Sequence, residues 1–344
     1  MTSLQLQNNR LSGNLPAELG LSKRLDILDL HSNNFSGSIP SDIGNLQVLT
    51  KLDLSSNQLD GESPNTISLL NTLQFFSVHI PNLTTVRLSR NKFYGELPQE
   101  LCSGFVLETF VVNHNNFTGT LPEWLRNCSA LSRVRLDENQ FTGNITNAFG
   151  VHPSLELIYL RQNKFFGELS PRWGEYKNIT DMQTDGNKIS GQIPPELGQL
   201  RQLQKLNLGS NEFSGEFPVA IGILSLLFNL SLSRNYLTGV IPRFLGKLTR
   251  LEFLDLSDNN FTGVLPVDPR TFERLTSLNI SHNKLSGGIP EEIGNLHLQY
   301  LLDLSSNTFS GSLPLNLAKL IMLEILRLCL VWLGFSEKLA SAYF

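Results

Sequence analysis

Two arginines separated by one residue, Arg133 and Arg135, are the side chains in this sequence best suited to bind an anion. Side chains in a β-strand point alternately to opposite faces, so a strand here would present both guanidinium groups side by side. Each planar guanidinium can bind a carboxylate through two parallel hydrogen bonds. The pair therefore indicates either a carboxylate-binding site or a surface ladder of ion pairs with Asp137, Asp181 and Asp185.

Charged, amide and aromatic side chains follow the same alternation on both sides of this pair. Tyr159 would supply an apolar plate and Arg161 a further hydrogen-bond donor, both on the next predicted strand. The ligand-binding candidates of the whole stretch are Arg87, Arg133, Arg135, Asp137, Tyr159, Arg161, Asp181, Gln183 and Asp185.

Motifs for catalysis and for metal binding are missing from the sequence. It contains no GxGxxG, no HRD or DFG of a kinase, no P-loop and no HExxH. The six histidines are scattered, and three cysteines are too few and too far apart for a zinc cluster. We therefore predict that the chain is not an enzyme and that it binds neither a cofactor nor a metal ion.

The charge and hydropathy pattern excludes two further classes of partner. The net charge is −4 without a long basic run, which disfavours nucleic acid and anionic membrane surfaces as partners.

The N-terminus reads MTSLQLQNNR and has neither the basic nor the apolar region of a secretory signal. The apolar run Leu328–Phe335 is far shorter than the roughly 20 residues of a spanning helix. We expect no direct membrane insertion by this chain.

A repeated asparagine explains how the candidate side chains are positioned. Eleven of the twelve intervals between successive asparagines are 24 residues long, and the interval from Asn57 to Asn91 is 34. A period of this length is typical of stacked repeat architectures. The asparagines are Asn9, Asn33, Asn57, Asn91, Asn115, Asn139, Asn163, Asn187, Asn211, Asn235, Asn259, Asn283 and Asn307.

One repeat, Leu251–Pro266, shows the physical role of each position. Leu254 and Leu256 alternate as in a short strand with one buried face. Asn259 ends the strand, and its amide can donate to and accept from the main chain of adjoining coils. Gly263 permits a tight turn, and the aliphatic residues that follow cover the core on the other side. Because one coil cannot bury its own apolar edges, the coils must stack.

The pattern LxxLxLxxNxLSGxIP resembles the plant-type leucine-rich repeat. This resemblance implies an α/β repeat fold, a right-handed solenoid of 24-residue repeats with a parallel β-sheet on the concave face and short 3₁₀ or irregular segments on the convex face. We assign residues 1–328 to the solenoid and residues 329–344 to a divergent C-terminal tail. About 13 repeats are regular, and a collapsed coil is expected near residues 65–82, where Pro81 replaces the asparagine. Counting degenerate strands at Leu73 and Leu323, we expect about 15 strands. Both ends of the chain read as interrupted repeats rather than caps.

The central segment Phe149–Gly174 matches the pattern FGVxPxLxxIxLxxNxFxGELSxxWG. It resembles the ectodomains of plant leucine-rich-repeat receptor-like kinases, most closely the Male-Discoverer-interacting receptor-like kinase group. The resemblance implies a cell-surface location, a secreted peptide as ligand on the concave face, and a co-receptor kinase as a further partner. In several such receptors an RxR pair holds the C-terminal carboxylate of the peptide, which Arg133 and Arg135 resemble. Of that receptor plan, only the solenoid is recognisable in this sequence.

Two kinds of covalent modification are indicated. Cys102 and Cys128 are 26 residues apart in a 24-residue period, which places them on neighbouring coils either as a disulfide or as two free buried thiols. Nine NxS/T sequons predict N-glycosylation sites at Asn34, Asn82, Asn116, Asn127, Asn144, Asn178, Asn229, Asn260 and Asn279.

Three functions fit these observations. The leading interpretation is a ligand-binding ectodomain, or a fragment of one, from a plant cell-surface receptor-like kinase that senses secreted peptides in defence or development. The main alternative is a soluble extracellular leucine-rich-repeat protein that inhibits pathogen wall-degrading enzymes. Such inhibitors are similar in repeat type, but they have fewer repeats and carry cysteine pairs at both ends. A partial gene product without an independent role is the third.

Overall fold

The computed structural model describes residues 1–61, 82–97, 101–102, 104, 106–266 and 272–328. Across these residues, fourteen short parallel strands form one continuous sheet in which each strand pairs with its neighbours in the chain. Residues 24 positions apart lie side by side, as Arg133 does with Leu157. The strands are Ser3–Gln5, Ile27–Asp29, Lys51–Asp53, Thr85–Arg87, Thr109–Val111, Arg133–Arg135, Leu157–Tyr159, Asp181–Gln183, Lys205–Asn207, Asn229–Ser231, Phe253–Asp255, Ser277–Asn279, Leu301–Asp303 and Ile325–Arg327.

Each coil returns to the sheet through a second short strand and, in most coils, a single helical turn. The second strands also pair in parallel, in smaller sheets: Ser12–Asn14, Asn34–Gly37 and Gln58–Leu59; Tyr94–Gly95 and Asn116–Phe117; Thr142–Asn144, Lys164–Glu168, Lys188–Gln192, Glu212–Glu216 and Tyr236–Thr238; Thr262–Gly263, Lys284–Gly287 and Thr308–Phe309. In the part of the chain that the structure describes, the 3₁₀ turns are Ala17–Leu21, Ser41–Asn45, Ile145–Asn147, Pro171–Glu175, Pro195–Gln199, Val219–Ile223, Arg243–Lys247, Glu291–Asn295 and Leu315–Lys319, and Glu123–Asn127 is α-helical.

The repeated asparagines form a hydrogen-bonded ladder that links successive coils. The side-chain amide of Asn139 donates to the carbonyl oxygens of Val112 and Leu136, both at 3.1 Å, and its oxygen accepts from the main-chain N–H of Phe117 at 3.0 Å. From Asn33 onward each of these asparagines bridges its own coil to the preceding one, as Asn33 does to Leu6 and Leu11. The residue just before the asparagine has a positive φ, 55° at Glu138, so the chain leaves the strand through a left-handed turn.

The core between the two strand layers is a column of leucines with an aromatic stack along one side. The rings of Phe93, Phe117, Phe141 and Phe165 occupy the same position in four successive coils, with centroids 5.9–6.3 Å apart. All four are buried. Because each coil buries its apolar edges only against its neighbours, the stack stabilises the solenoid as a whole.

The Phe149–Gly174 segment, which carried the closer family resemblance, contributes packing. Phe149, Trp173, Tyr176 and His152 form one buried aromatic cluster, and the Tyr176 hydroxyl donates to the Gly150 carbonyl at 2.7 Å. Burial lowers the pKa of His152, which keeps this imidazole neutral. These positions of the motif therefore belong to the core, whereas Tyr159 and Arg161 of the same segment are among the candidate binding residues.

The predicted leucine-rich-repeat solenoid, with its parallel sheet and short 3₁₀ turns, is confirmed. The collapsed coil predicted near residues 65–82 and its strand at Leu73 lie outside the described residues, apart from Asn82. The tail 329–344 lies outside them as well. The strand Lys51–Asp53 pairs directly with Thr85–Arg87, so the sheet continues across the 34-residue interval.

Cys102 and Cys128 are joined by a disulfide, with their Cα atoms 5.9 Å apart. Of the two states expected from the sequence, the structure therefore has the bonded one. Both cysteines are buried in the core. Cys102 precedes the strand Thr109–Val111 and Cys128 follows the helix Glu123–Asn127, so the bond ties two neighbouring coils together.

Among the described residues, no helix combines the length and the apolar character needed to span a lipid bilayer.

Candidate functional site

The carboxylate of Asp137 is the centre of a charged network on the concave sheet. Arg135 donates to it twice, from Nε to Oδ1 at 3.1 Å and from Nη2 to Oδ2 at 2.9 Å. The Asp137 side chain is fully buried, and Arg161 Nε lies 4.0 Å from its Oδ2. This bidentate pair fixes the direction of the Arg135 guanidinium.

Arg133 differs from Arg135 although the two share one strand. It is exposed, and among the described residues it has no hydrogen-bond or ion-pair partner. Its strand neighbours are Thr109 on one side and Leu157 on the other. The structure thus separates the predicted pair into one arginine held by the protein and one that is free to bind an anion.

Tyr159 connects the arginine pair to the next strand. The Arg135 Cζ atom lies 4.9 Å from the centre of the Tyr159 ring, a cation–π contact. The tyrosine hydroxyl donates to Asp181 Oδ2 at 2.6 Å, and Gln183 donates to Asp181 Oδ1 at 3.0 Å. Burial raises the pKa of Tyr159, and the neighbouring Asp181 raises it further. The hydroxyl therefore remains protonated and acts as a donor.

A second chain of contacts runs along the residues at and beside the left-handed turns. Arg161 Nη2 donates to Glu138 Oε1 at 2.7 Å, and the imidazole of His114 contacts the other oxygen of the same carboxylate. The hydrogen bond from Arg161 lowers the pKa of Glu138, although burial opposes this. The same hydrogen bond raises the pKa of Arg161.

Asp185 lies beside Arg161 without a partner for one of its oxygens. Its Oδ1 atom is buried and accepts no hydrogen bond from the described residues. Burial raises the pKa of Asp185, and the positive charge of Arg161 partly opposes this.

Eight of the nine predicted binding residues come together on three adjacent strands and the turns that follow them. The ninth, Arg87, lies two strands away, where its Nη1 is 3.9 Å from Asp53 Oδ2. The ion-pair ladder is present in part, because Arg135 binds Asp137 and Lys205 Nζ lies 3.9 Å from Asp181 Oδ2. Arg133 is outside that ladder.

The later repeats contain polar residues that were not among the candidates predicted from the sequence. A polar groove there is lined by Ser210, Ser233, Arg234, Asp255, Ser257, Asp258, Asn279, Ser281, His282, Asp303 and Arg327. Several of these precede a repeat asparagine, and their backbones have φ near 52°. The 24-residue spacing of Arg234, Asp258 and His282 was the available signal.

Two clusters have the geometry of cation ligands but contain their own positive charges. Asp29, His31 and Asp53 form one, where Lys51 Nζ lies 2.7 Å from Asp29 Oδ2. His114, Asp137 and Glu138 form the other, beside Arg135 and Arg161. Because these ammonium and guanidinium groups already bind the carboxylates, we assign both clusters to ion pairing.

The sequon asparagines divide by exposure. Six have exposed side chains, namely Asn34, Asn82, Asn116, Asn127, Asn144 and Asn178, and three are half-buried, namely Asn229, Asn260 and Asn279. Asn229 and Asn279 belong to the concave sheet. Glycosylation of any of them stays a prediction.

Replacing Arg135 with alanine is expected to lower the free energy of unfolding by about 1.5–3 kcal/mol, because buried Asp137 would lose two charge-assisted hydrogen bonds. Arg133→Ala is the matched control on the same strand and should change stability by less than about 0.5 kcal/mol. Urea unfolding followed by circular dichroism measures both. Equal destabilisation by the two substitutions would show that Asp137 does not depend on Arg135.

Comparison with known families finds leucine-rich repeats along the chain. One model, described as Leucine rich repeat, matches residues 201–261. A second, Leucine Rich Repeat, matches residues 24–46, 48–70, 82–103, 106–128, 274–296 and 300–320. Together these matches span more than half of the chain. None of the curated proteins matches the chain significantly.

Several solved structures are similar over almost the whole chain. The plant peptide hormone receptor RGFR1 in complex with RGF2 has a TM-score of 0.80 at 28% identity, covering 96% of this chain and 56% of that one. The Arabidopsis receptor kinase HAESA in complex with the peptide hormone IDA and the co-receptor SERK1 has a TM-score of 0.71 at 32% identity, covering 91% and 59%. The Leptospira interrogans protein LIC12759 has a TM-score of 0.60 at 29% identity, covering 95% and 71%. The chain thus spans a little over half the length of the two plant receptor structures.

Proposed function

Because this chain belongs to the leucine-rich-repeat family, we propose that it binds a secreted peptide on the concave face of its solenoid. The binding surface extends from about Arg87 to Asp185, across the charged network. The anchor of the peptide is its free C-terminal carboxylate, and the group that holds it is the guanidinium of Arg133. Arg135, fixed by Asp137 and stacked on Tyr159, offers its remaining Nη1 donors beside the anchor.

The observation that supports this proposal is that the two arginines differ in their ion-pair partners. Arg135 has its carboxylate partner within the protein, whereas Arg133 has none among the described residues. A planar guanidinium without a partner, next to the bidentate Arg135–Asp137 pair, is suited to bidentate recognition of a carboxylate. The rigid sheet holds it in position before the ligand arrives.

The similar structures support a receptor role. Two of them are complexes of a plant receptor with a peptide hormone, and one of these complexes also contains a co-receptor. By analogy, we propose that this chain acts as an ectodomain at the outer surface of the plasma membrane and engages a co-receptor kinase, in defence or development. The Cys102–Cys128 disulfide supports an oxidising, extracellular environment. The likeness to the Male-Discoverer-interacting group remains a proposal based on Phe149–Gly174.

A second candidate is a soluble extracellular protein that binds and inhibits pathogen wall-degrading enzymes. The similarity to a leucine-rich-repeat protein from Leptospira interrogans shows that this solenoid also occurs outside plant receptors. A protein ligand would use a large part of the concave face, including the polar groove of the later repeats. A partial gene product without a role of its own is the third alternative.

An enrichment experiment distinguishes these functions. The immobilised chain is incubated with two synthetic decapeptide libraries that are identical except that one ends in a free carboxylate and the other in a carboxamide. We expect enrichment of sequences from the carboxylate library only, and loss of that enrichment with Arg133→Ala. Equal recovery from both libraries would contradict carboxylate anchoring, and no enrichment from either would contradict peptide binding.

A further inference from the structure

A depression lies beside the Asp137 network, where the strands Arg133–Arg135, Leu157–Tyr159 and Asp181–Gln183 end in their left-handed turns. We call it the Asp185 pocket. Its lining consists of Asn115, Glu138, Asn139, Gln140, Arg161, Gln162 and Asp185.

Two residues of this lining each have a buried side-chain atom without a hydrogen-bond partner among the described residues. One is a donor, Nε of Arg161, and the other is an acceptor, Oδ1 of Asp185. Buried polar groups in folded proteins are nearly always hydrogen-bonded, so an unpaired donor and an unpaired acceptor in one pocket call for a specific explanation. By contrast, the side chains of Asn115 and Asn139 in the same lining make all their usual ladder contacts.

One carboxylate beside the pocket has no hydrogen-bonded cationic partner among the described residues. The carboxylates are those of Asp137, Glu138 and Asp185, and the groups that face them are the guanidinium groups of Arg135 and Arg161 and the imidazole of His114. Arg135 binds Asp137, whereas Arg161 and His114 both bind Glu138. Asp185 is therefore the carboxylate without such a partner, and burial raises its pKa.

We propose that the Asp185 pocket is a subsite for an ammonium group of the ligand; this inference rests on the proposed peptide-binding function. An ammonium carries a positive charge and three N–H donors. The carboxylate of Asp185 accepts one of these donors, and the exposed side-chain amides of Gln140 and Gln162 offer further acceptors at the rim. A metal ion fits less well, because Arg161 already binds Glu138, which leaves Asp185 as the remaining carboxylate of the lining.

The separation of the two subsites sets the spacing in the ligand. Asp185 lies two strands away from Arg133 and four residues further along the strand direction. At about 3.3 Å per residue and 4.8 Å per strand, the distance between the two positions is roughly 16 Å. An extended peptide covers that distance with about five residues. In a decapeptide the ammonium is thus a lysine side chain about four or five residues from the carboxylate, and the amino terminus can take its place only in a peptide of about five residues.

The first test uses lysinamide, which has ammonium groups but no carboxylate and so does not depend on Arg133. The ¹³C signal of the Asp185 carboxyl is followed by NMR as pH is varied, with and without lysinamide. We expect lysinamide to lower the pKa of Asp185, because a bound ammonium favours the ionised form. No change in the Asp185 titration at saturating lysinamide overturns the subsite. Asp255→Asn, a concave-face substitution three strands away, should leave the titration unchanged.

The second test uses a peptide recovered from the carboxylate library. Asp185→Asn keeps the size of the side chain and removes its charge, and we expect it to weaken binding of the peptide at least about tenfold, with Asp255→Asn as the control. Acetylating the peptide's amino terminus, or replacing its lysine with norleucine, identifies which ammonium is used. The peptide's binding could depend on its carboxylate and yet be unchanged by Asp185→Asn and by both peptide modifications. That result would overturn the subsite and leave the proposed function standing. If no peptide binds but lysinamide still shifts the Asp185 titration, the subsite stands and the proposed function fails.

A stability measurement separates a binding role from a structural one. The raised pKa of Asp185 means that its ionised form destabilises the folded state at pH values above that pKa, so Asp185→Asn should raise the thermal unfolding midpoint of the unliganded protein at pH 7. A residue that weakens its own fold but strengthens ligand binding is typical of a binding site. A lower midpoint for Asp185→Asn would assign the carboxylate a structural role and contradict the subsite.

Discussion

Replacing Asn139 with alanine is expected to lower the free energy of unfolding by about 2–4 kcal/mol. The main-chain N–H of Phe117 would lose its acceptor in a buried environment, where water cannot replace it. The carbonyl oxygens of Val112 and Leu136 would each lose one of two donors, because Asn115 and Asn163 also bind them. The missing side chain would also leave a small cavity.

Asn9→Ala is the matched control for this substitution. Asn9 occupies the same repeat position and donates to Leu6 and Gln7 within its own coil, both at 3.1 Å, but its side chain is exposed. Water can take over these contacts, so we expect a loss below about 1 kcal/mol. Chemical unfolding of both variants measures the difference. Similar losses for Asn9→Ala and Asn139→Ala would show that the buried bridge between coils contributes little.

Removing the disulfide is expected to have a comparable effect. Cys102 and Cys128 close a loop of 26 residues, for which the chain-entropy account gives a stabilisation of about 3–4 kcal/mol. The double substitution Cys102→Ala and Cys128→Ala should therefore lower the unfolding midpoint of the oxidised protein strongly. The same variant should not respond to dithiothreitol, whereas the wild-type protein should.

Thiol labelling provides the independent check on that bond. In the unfolded but unreduced wild-type chain, Cys102 and Cys128 should resist labelling and should become reactive only after reduction. Two labelled residues at these positions before reduction would contradict the disulfide in the folded protein.

The fold could be predicted from the sequence because the constraint is local and repeated. Each 24-residue unit has its own strand leucines, its turn asparagine and its glycine, and stacking is the single arrangement that satisfies all of them at once. The face on which Arg133, Arg135 and Tyr159 lie followed directly from the period of two in a strand.

The state of each binding residue could not be predicted in the same way. Arg133 and Arg135 are equivalent in the pattern, yet only Arg135 lies within reach of both oxygens of Asp137. That difference depends on rotamers and on the depth of Asp137 in the sheet, which a repeat pattern does not specify. The unpaired Oδ1 of Asp185 likewise follows from the separate engagement of Arg161 by Glu138. Conversely, Phe149 and Trp173, two positions of the pattern that carried the closer family resemblance, belong to aromatic packing in the structure.

The central claim is a direct contact between the guanidinium of Arg133 and the terminal carboxylate of a peptide ligand. A double-mutant cycle measured by isothermal titration calorimetry tests it, with wild-type and Arg133→Ala protein and with an enriched peptide in its free-acid and amidated forms. We predict a coupling free energy of about 1.5–3 kcal/mol between the two changes, so that amidation weakens binding to the wild-type protein and hardly affects binding to the variant. Strictly additive effects, with a coupling energy of zero, would contradict the contact.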